Sequence, residues 1–121
     1  MKRIPTYILL VSGVLVLFMT QCVFEEIPEP VVPDNVSFSE DIMPIFNANC
    51  NSSSCHDLGG IAPDLSPQNA WSALQDGYIN TTDPTASLLV TSMDGGSMAP
   101  YSSAQDIATI VQWIKDGAPN N

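Results

Sequence analysis

From Ser37 onward, no stretch of the chain alternates apolar and polar residues as a half-buried strand does, while apolar residues recur three and four apart. This pattern restricts the domain to helices and loops. Phe38, Ile42, Ile45 and Phe46 make one helical face leading into Cys50, with Ser37 or Ser39 as the cap and Glu40 completing a capping box with Ser37. Pro44 is tolerable near the start of such a helix and distorting further in. Ser66-Pro67 opens a second helix carrying Ala70, Trp71, Ala73 and Leu74, closed by Gly77. Asp83-Pro84 opens a short third with Leu88, Leu89 and Val90. The last is the clearest: Ser102 and Ser103 cap it, Ile107, Ile110, Val111 and Ile114 form its stripe, and Gly117 and Pro119 stop it. The expected fold is all-α, three to four short helices with long loops. So thin a core needs a staple, and the polar loops 51–63 and 91–103 leave its middle to be filled by something other than side chains.

The residues before Ser37 are of another kind. Lys2 and Arg3 precede an apolar run from Ile8 to Met19, the n-region and h-region of a secretory signal. The run is short of the roughly 20 residues that span a bilayer; an uncleaved anchor, counted from Tyr7 to Phe24, is the alternative. Cys22 follows directly, and Met19-Thr20-Gln21-Cys22 resembles a bacterial lipoprotein signal, with Gln21 where a small residue is usual. That resemblance implies lipidation of Cys22, export to the periplasm or outer membrane, and attachment to the membrane through lipid. Residues 22–36 hold three prolines and no helical or strand period, and read as an acidic tether. The expected organisation is signal 1–21, tether 22–36 and domain 37–121. After Cys22 the 13 acidic residues face one basic residue, Lys115. Nucleic acid is excluded as a partner by repulsion between like charges; a basic partner protein fits such a surface, as does solubility alone.

The chemistry is concentrated in Cys50-Asn51-Ser52-Ser53-Ser54-Cys55-His56. A c-type haem is held by two cysteine thioethers, and the histidine after the second cysteine ligates iron. Two residues usually separate the cysteines. Here there are four, so two must loop out, and Asn51 to Ser54 are turn-forming residues. Two rivals remain. A Cys50–Cys55 disulfide would staple an exported binding module without haem, and a zinc ion could take Cys50, Cys55, His56 and a carboxylate such as Asp57. The disulfide does not account for the only histidine standing directly after the second cysteine, nor for the methionine loop described next; for zinc, adjacent cysteine and histidine ligands are awkward on one tetrahedral ion, and no second cysteine pair exists.

His56 is the chain's single histidine, which rules out bis-histidine ligation within one chain. Outside the signal the methionines are Met43, Met93 and Met98. Met43 sits on the first helix as a core residue. Met98 lies in the glycine-rich loop Gly95-Gly96-Ser97-Met98-Ala99-Pro100 just before the last helix, and Met93 is the second candidate.

At these residues the chain resembles the class I c-type cytochromes, especially the small domains of that kind in exported bacterial proteins, over Phe38 to Ala118. The resemblance implies a cytochrome c-like fold around one haem, with Phe46 on a first helix crossing a last helix that carries Ile110 and Trp113. It implies that Pro63 in Pro63-Asp64-Leu65 accepts the His56 Nδ1–H and that Leu65 packs on the ring. It implies His56 as proximal and Met98 as distal iron ligand, with Ala99 replacing a proline of the family's loop. Such Met/His ligation raises the reduction potential relative to His/His, and Asp57 and Asp94 would pull it down. The implied function is electron transfer between redox partner proteins rather than catalysis. Trp71 is either a core residue or a donor to a haem propionate.

Overall fold

The computed structural model describes residues 26–121, and among these it is helical, with no strand. The signal segment and Cys22 lie outside the described residues. None of the described helices is long and apolar enough to cross a membrane.

The first helix begins as a π-helical turn, Phe38–Ile42, and continues as α1, Met43–Asn49. Ser37 caps it as expected, its Oγ accepting the Glu40 N–H at 3.2 Å. The reciprocal carboxylate is Asp41, not Glu40: the Ser37 N–H donates to Asp41 Oδ2 at 2.8 Å. The wide turn is the reason. The Ser37 carbonyl accepts from both Asp41 N and Ile42 N, which shifts the next turn's side chains by one residue. Pro44, which has no N–H to donate, enters directly after this wide turn. Phe38, Ile42, Met43 and Phe46 face inward and are buried, while Ile45 lies half-buried at the margin.

The remaining elements are short. The chain turns at Ser66, whose carbonyl accepts from Asn69 N and Ala70 N, and becomes regular in α2, Ala70–Gln75. Asp64 organises this entry, taking the Ser66 N–H at 2.9 Å and the Asn69 amide at 2.7 Å. The third expected helix is split. Asp83 caps a 3₁₀ turn, Pro84–Ala86; Ser87 then takes an extended conformation (φ −58°, ψ 138°) and starts α3, Leu88–Met93. Ser87 Oγ accepts the Asn80 N–H instead of capping α3. A second 3₁₀ turn, Ala99–Tyr101, leads to α4, Ala104–Lys115, whose capping box pairs Ser103 with Asp106.

The core gathers around Trp113. Its ring lies 5.3 Å from that of Phe38, and its Nε1–H donates to the Pro119 carbonyl. The chain end returns to the first helix, with Asn121 accepting from the Phe38 and Ser39 N–H groups, two donors left over at a helix start. Residues read from the sequence as tether pack on the domain: Val36 is buried in the core, and Val31 exchanges two hydrogen bonds with the Gln105 side chain.

Candidate cofactor site

An apolar cavity of about 270 Å³ opens between the loop after α1 and the α3 region. Phe46, Leu65 and Leu89 are buried in its wall, and Ile61 and Leu88, both more than half exposed, edge its mouth. Four residues singled out from the sequence meet there: Cys50, His56, Met93 and Met98. They come from α1's end, the following loop, α3's end and the glycine loop, so the fold gathers sulfur and nitrogen donors from across the domain.

The loop after α1 is held by its own backbone. The Cys50 carbonyl accepts the His56 N–H, the Cys55 carbonyl accepts the Ile61 N–H at 2.7 Å, and the His56 carbonyl accepts the Leu65 N–H at 2.7 Å. The four residues between the cysteines form the expected turn, with Cys55 N–H donating to the Ser52 carbonyl and Ser54 in the left-handed region at φ +77°. Gly60 is required: a Cβ there would run into the Cys55 carbonyl oxygen.

His56 is oriented from behind. Its Nδ1 lies 3.0 Å from the Ile61 carbonyl and 3.1 Å from the Pro63 carbonyl. Neither oxygen can donate, so Nδ1–H is the donor, and in the neutral imidazole this leaves the lone pair on Nε2. Pro63 therefore sits where the resemblance puts it, although Ile61 shares the contact, and Leu65 is buried in the cavity wall. Cys50 is half-buried, and its thiol is pushed above the ordinary range by desolvation first, then by the Asp106 carboxylate and the Cys55 thiol. Cys55 is exposed and stands outside the cavity lining.

Met93 ends α3 and is buried at 4 % exposure, whereas Met98 is half-buried. The turn between them is tight. Gly95 adopts φ +80°, and a Cβ on Gly96 would lie 2.6 Å from the Thr91 carbonyl oxygen. Met98 N–H then donates to the Ser92 carbonyl at 2.9 Å, which brings Met98 to the cavity wall. Met43 is buried in the core and does not line the cavity.

Several sequence readings find other places. Trp71 donates its Nε1–H to the Ala118 carbonyl at 3.0 Å, so that proton is engaged within the domain. Asp57 and Asp94 are outside the lining. Among the described residues no three His, Cys, Asp or Glu side chains are grouped to hold a metal ion, so Cys50, Cys55 and His56 do not converge as the zinc reading requires, and both cysteines are free thiols. Tyr78 lines the cavity without having been singled out, and Leu89, read only as an apolar residue of the third helix, lines it too. The signal for Tyr78 was present in Gly77, whose φ of +85° turns the chain after α2.

The cavity is apolar and supplied with an imidazole nitrogen, one thiol and two thioethers, with Cys55 outside its lining. No family model matches the chain, and neither a curated protein nor a solved structure does.

Proposed function

We propose that the chain is a small monohaem c-type cytochrome of cytochrome c-like fold that carries electrons between proteins. The observation that supports this best is the His56 arrangement. An imidazole on an apolar cavity, its Nδ1 held by two carbonyls and its Nε2 free, is prepared as a metal ligand.

When bound, haem supplies a one-electron iron couple. The residues supply everything else. Cys50 and Cys55 give the two thioether attachments, Cys55 turning inward from its exposed position to do so. His56 is the proximal ligand, and its carbonyl partners raise its donor strength. Met98 is the distal ligand; its soft thioether favours the ferrous state. With His56 and Met98 both holding the group, no position on it would be open to a substrate, so the chemistry it would supply is electron transfer rather than catalysis. Phe46, Leu65 and Leu89 exclude water from the buried side.

Around the domain, the signal and Cys22 place the protein outside the cytoplasm, at the periplasm or outer membrane, tethered by lipid. The acidic surface selects redox partners with a basic docking face. The test is spectroscopic. Protein from a host that attaches haem covalently should show sharp low-spin bands in a reduced-minus-oxidised spectrum. Met98→Ala should abolish the sulfur-to-iron charge-transfer band while the cofactor stays attached; loss of that band in Met93→Ala instead would reassign the ligand.

A further inference from the structure

Ser102 and Ser103 read alike in the sequence, as two candidates for one cap, but the structure gives them different work. Ser103 does all the capping of α4: its Oγ accepts the Asp106 N–H at 3.1 Å, and its own N–H donates to Asp106 Oδ2 at 2.9 Å. The Ser102 hydroxyl takes no part in that box. It is turned back toward the cavity loop and lies 3.0 Å from the Met93 carbonyl, 3.2 Å from the Met98 carbonyl and 3.4 Å from the Ala99 carbonyl.

A hydroxyl has one proton to donate, so it serves one of these oxygens at a time, and Met93 is the nearest. The Met93 carbonyl ends α3 and is one of the acceptors a helix leaves without a partner. The Met98 carbonyl belongs to the glycine loop, and Ala99 begins the following 3₁₀ turn. One half-buried hydroxyl thus joins the end of a helix to the loop that carries the second methionine. The other hydrogen bonds of Met98 run from its N–H to the Ser92 carbonyl and from the Tyr101 N–H to its own carbonyl, both at 2.9 Å.

Resting on the haem reading above, we propose that Ser102 is a positioning residue for Met98. Its hydroxyl pins the loop against α3 and so sets how firmly the Met98 thioether keeps its place when a competing ligand is present. A looser loop pays more conformational entropy to hold the thioether in position, and an external ligand gains by the difference.

Imidazole is the probe, titrated spectroscopically into the oxidised, haem-loaded full chain. Ser102→Ala should bind imidazole about fivefold more tightly than the unsubstituted protein, which corresponds to about 1 kcal/mol, the order of one net hydrogen bond. Ser102→Thr keeps the hydroxyl and should retain the original affinity. In a Met98→Ala background, where the internal competitor is gone, Ser102→Ala should change nothing. Ser103→Ala, which removes only the cap, should lower the melting temperature without altering imidazole affinity.

An unchanged affinity in Ser102→Ala, or a change that persists without Met98, would overturn the proposal. Covalent haem is measured by mass on the same samples. A chain without haem defeats the cytochrome reading and this inference together; a haem-loaded chain in which Met98→Ala tightens imidazole binding but Ser102→Ala does not defeats this inference alone.

Discussion

At the scale of single residues, the site is prepared by groups that never touch the cavity's contents. Asp64 shows how. Hydrogen bonds from Ser66 and then Asn69 hold its carboxyl below the usual carboxylate range, and it stands between Pro63, whose carbonyl faces His56, and Leu65 in the cavity wall. A carboxyl lowered by folding contributes stability that is present above its unfolded value and is lost as pH falls through the folded one. Asp64→Asn should therefore lower the melting temperature at neutral pH, and its difference from the unsubstituted protein should shrink as acid protonates Asp64. Melting curves of both proteins from pH 7 downward check this; a difference that grows in acid would refute it. Residues of this kind were the hardest to read. Cys50, Cys55, His56 and Met98 stand out by chemistry and spacing, but the pattern marks Ser102 only as a cap and Asp64 only as the middle of Pro63-Asp64-Leu65, because their roles depend on which atoms they meet in the fold.

At the scale of elements, the four helical patterns are found where the apolar spacing puts them, and their ends are what differ. Local sequence signals a start, but the start also depends on backbone geometry. The π-helical turn at Phe38–Ile42 moved the reciprocal carboxylate from Glu40 to Asp41, and the extended Ser87 split the Asp83-to-Met93 segment in two. Neither event leaves a mark on apolar periodicity. The glycine loop leaves little room for substitution. Gly96→Ala puts a Cβ within 2.6–2.7 Å of the Thr91 and Ser92 backbone, and overpacking of that order costs about 1–3 kcal/mol. Denaturant titration should show that loss, and the glycine turn leading to Met98 should move with it. An alanine accommodated at no cost would mean that the loop is not pressed against α3. Ser103→Ala should cost about 1 kcal/mol by loss of the α4 cap.

At the scale of the whole molecule, the core is small and centred on one residue. Trp113 is fully buried, stacks at a tilt on Phe38 and holds Pro119. Trp113→Ala should cost about 3–5 kcal/mol, a large share of the roughly 5–15 kcal/mol that keeps a domain folded. The same architecture leaves an apolar cavity beside that core, and a group filling it would add the burial that the side chains do not supply. The surface is acidic, with Lys115 the one basic residue after Cys22. If the chain is the electron carrier proposed above, transfer to a basic partner should slow as ionic strength rises, since salt screens the attraction that speeds encounter; a rate indifferent to salt would remove charge from the account of partner choice.

The central claim is that Cys50 and Cys55 hold a haem covalently beside His56, and intact mass under denaturing conditions tests it most directly. For the chain matured in a haem-attaching host, the account predicts an added mass of one haem that survives unfolding, and its loss when both cysteines are changed to serine. A colourless chain of unmodified mass from that host, folded all the same, would contradict it.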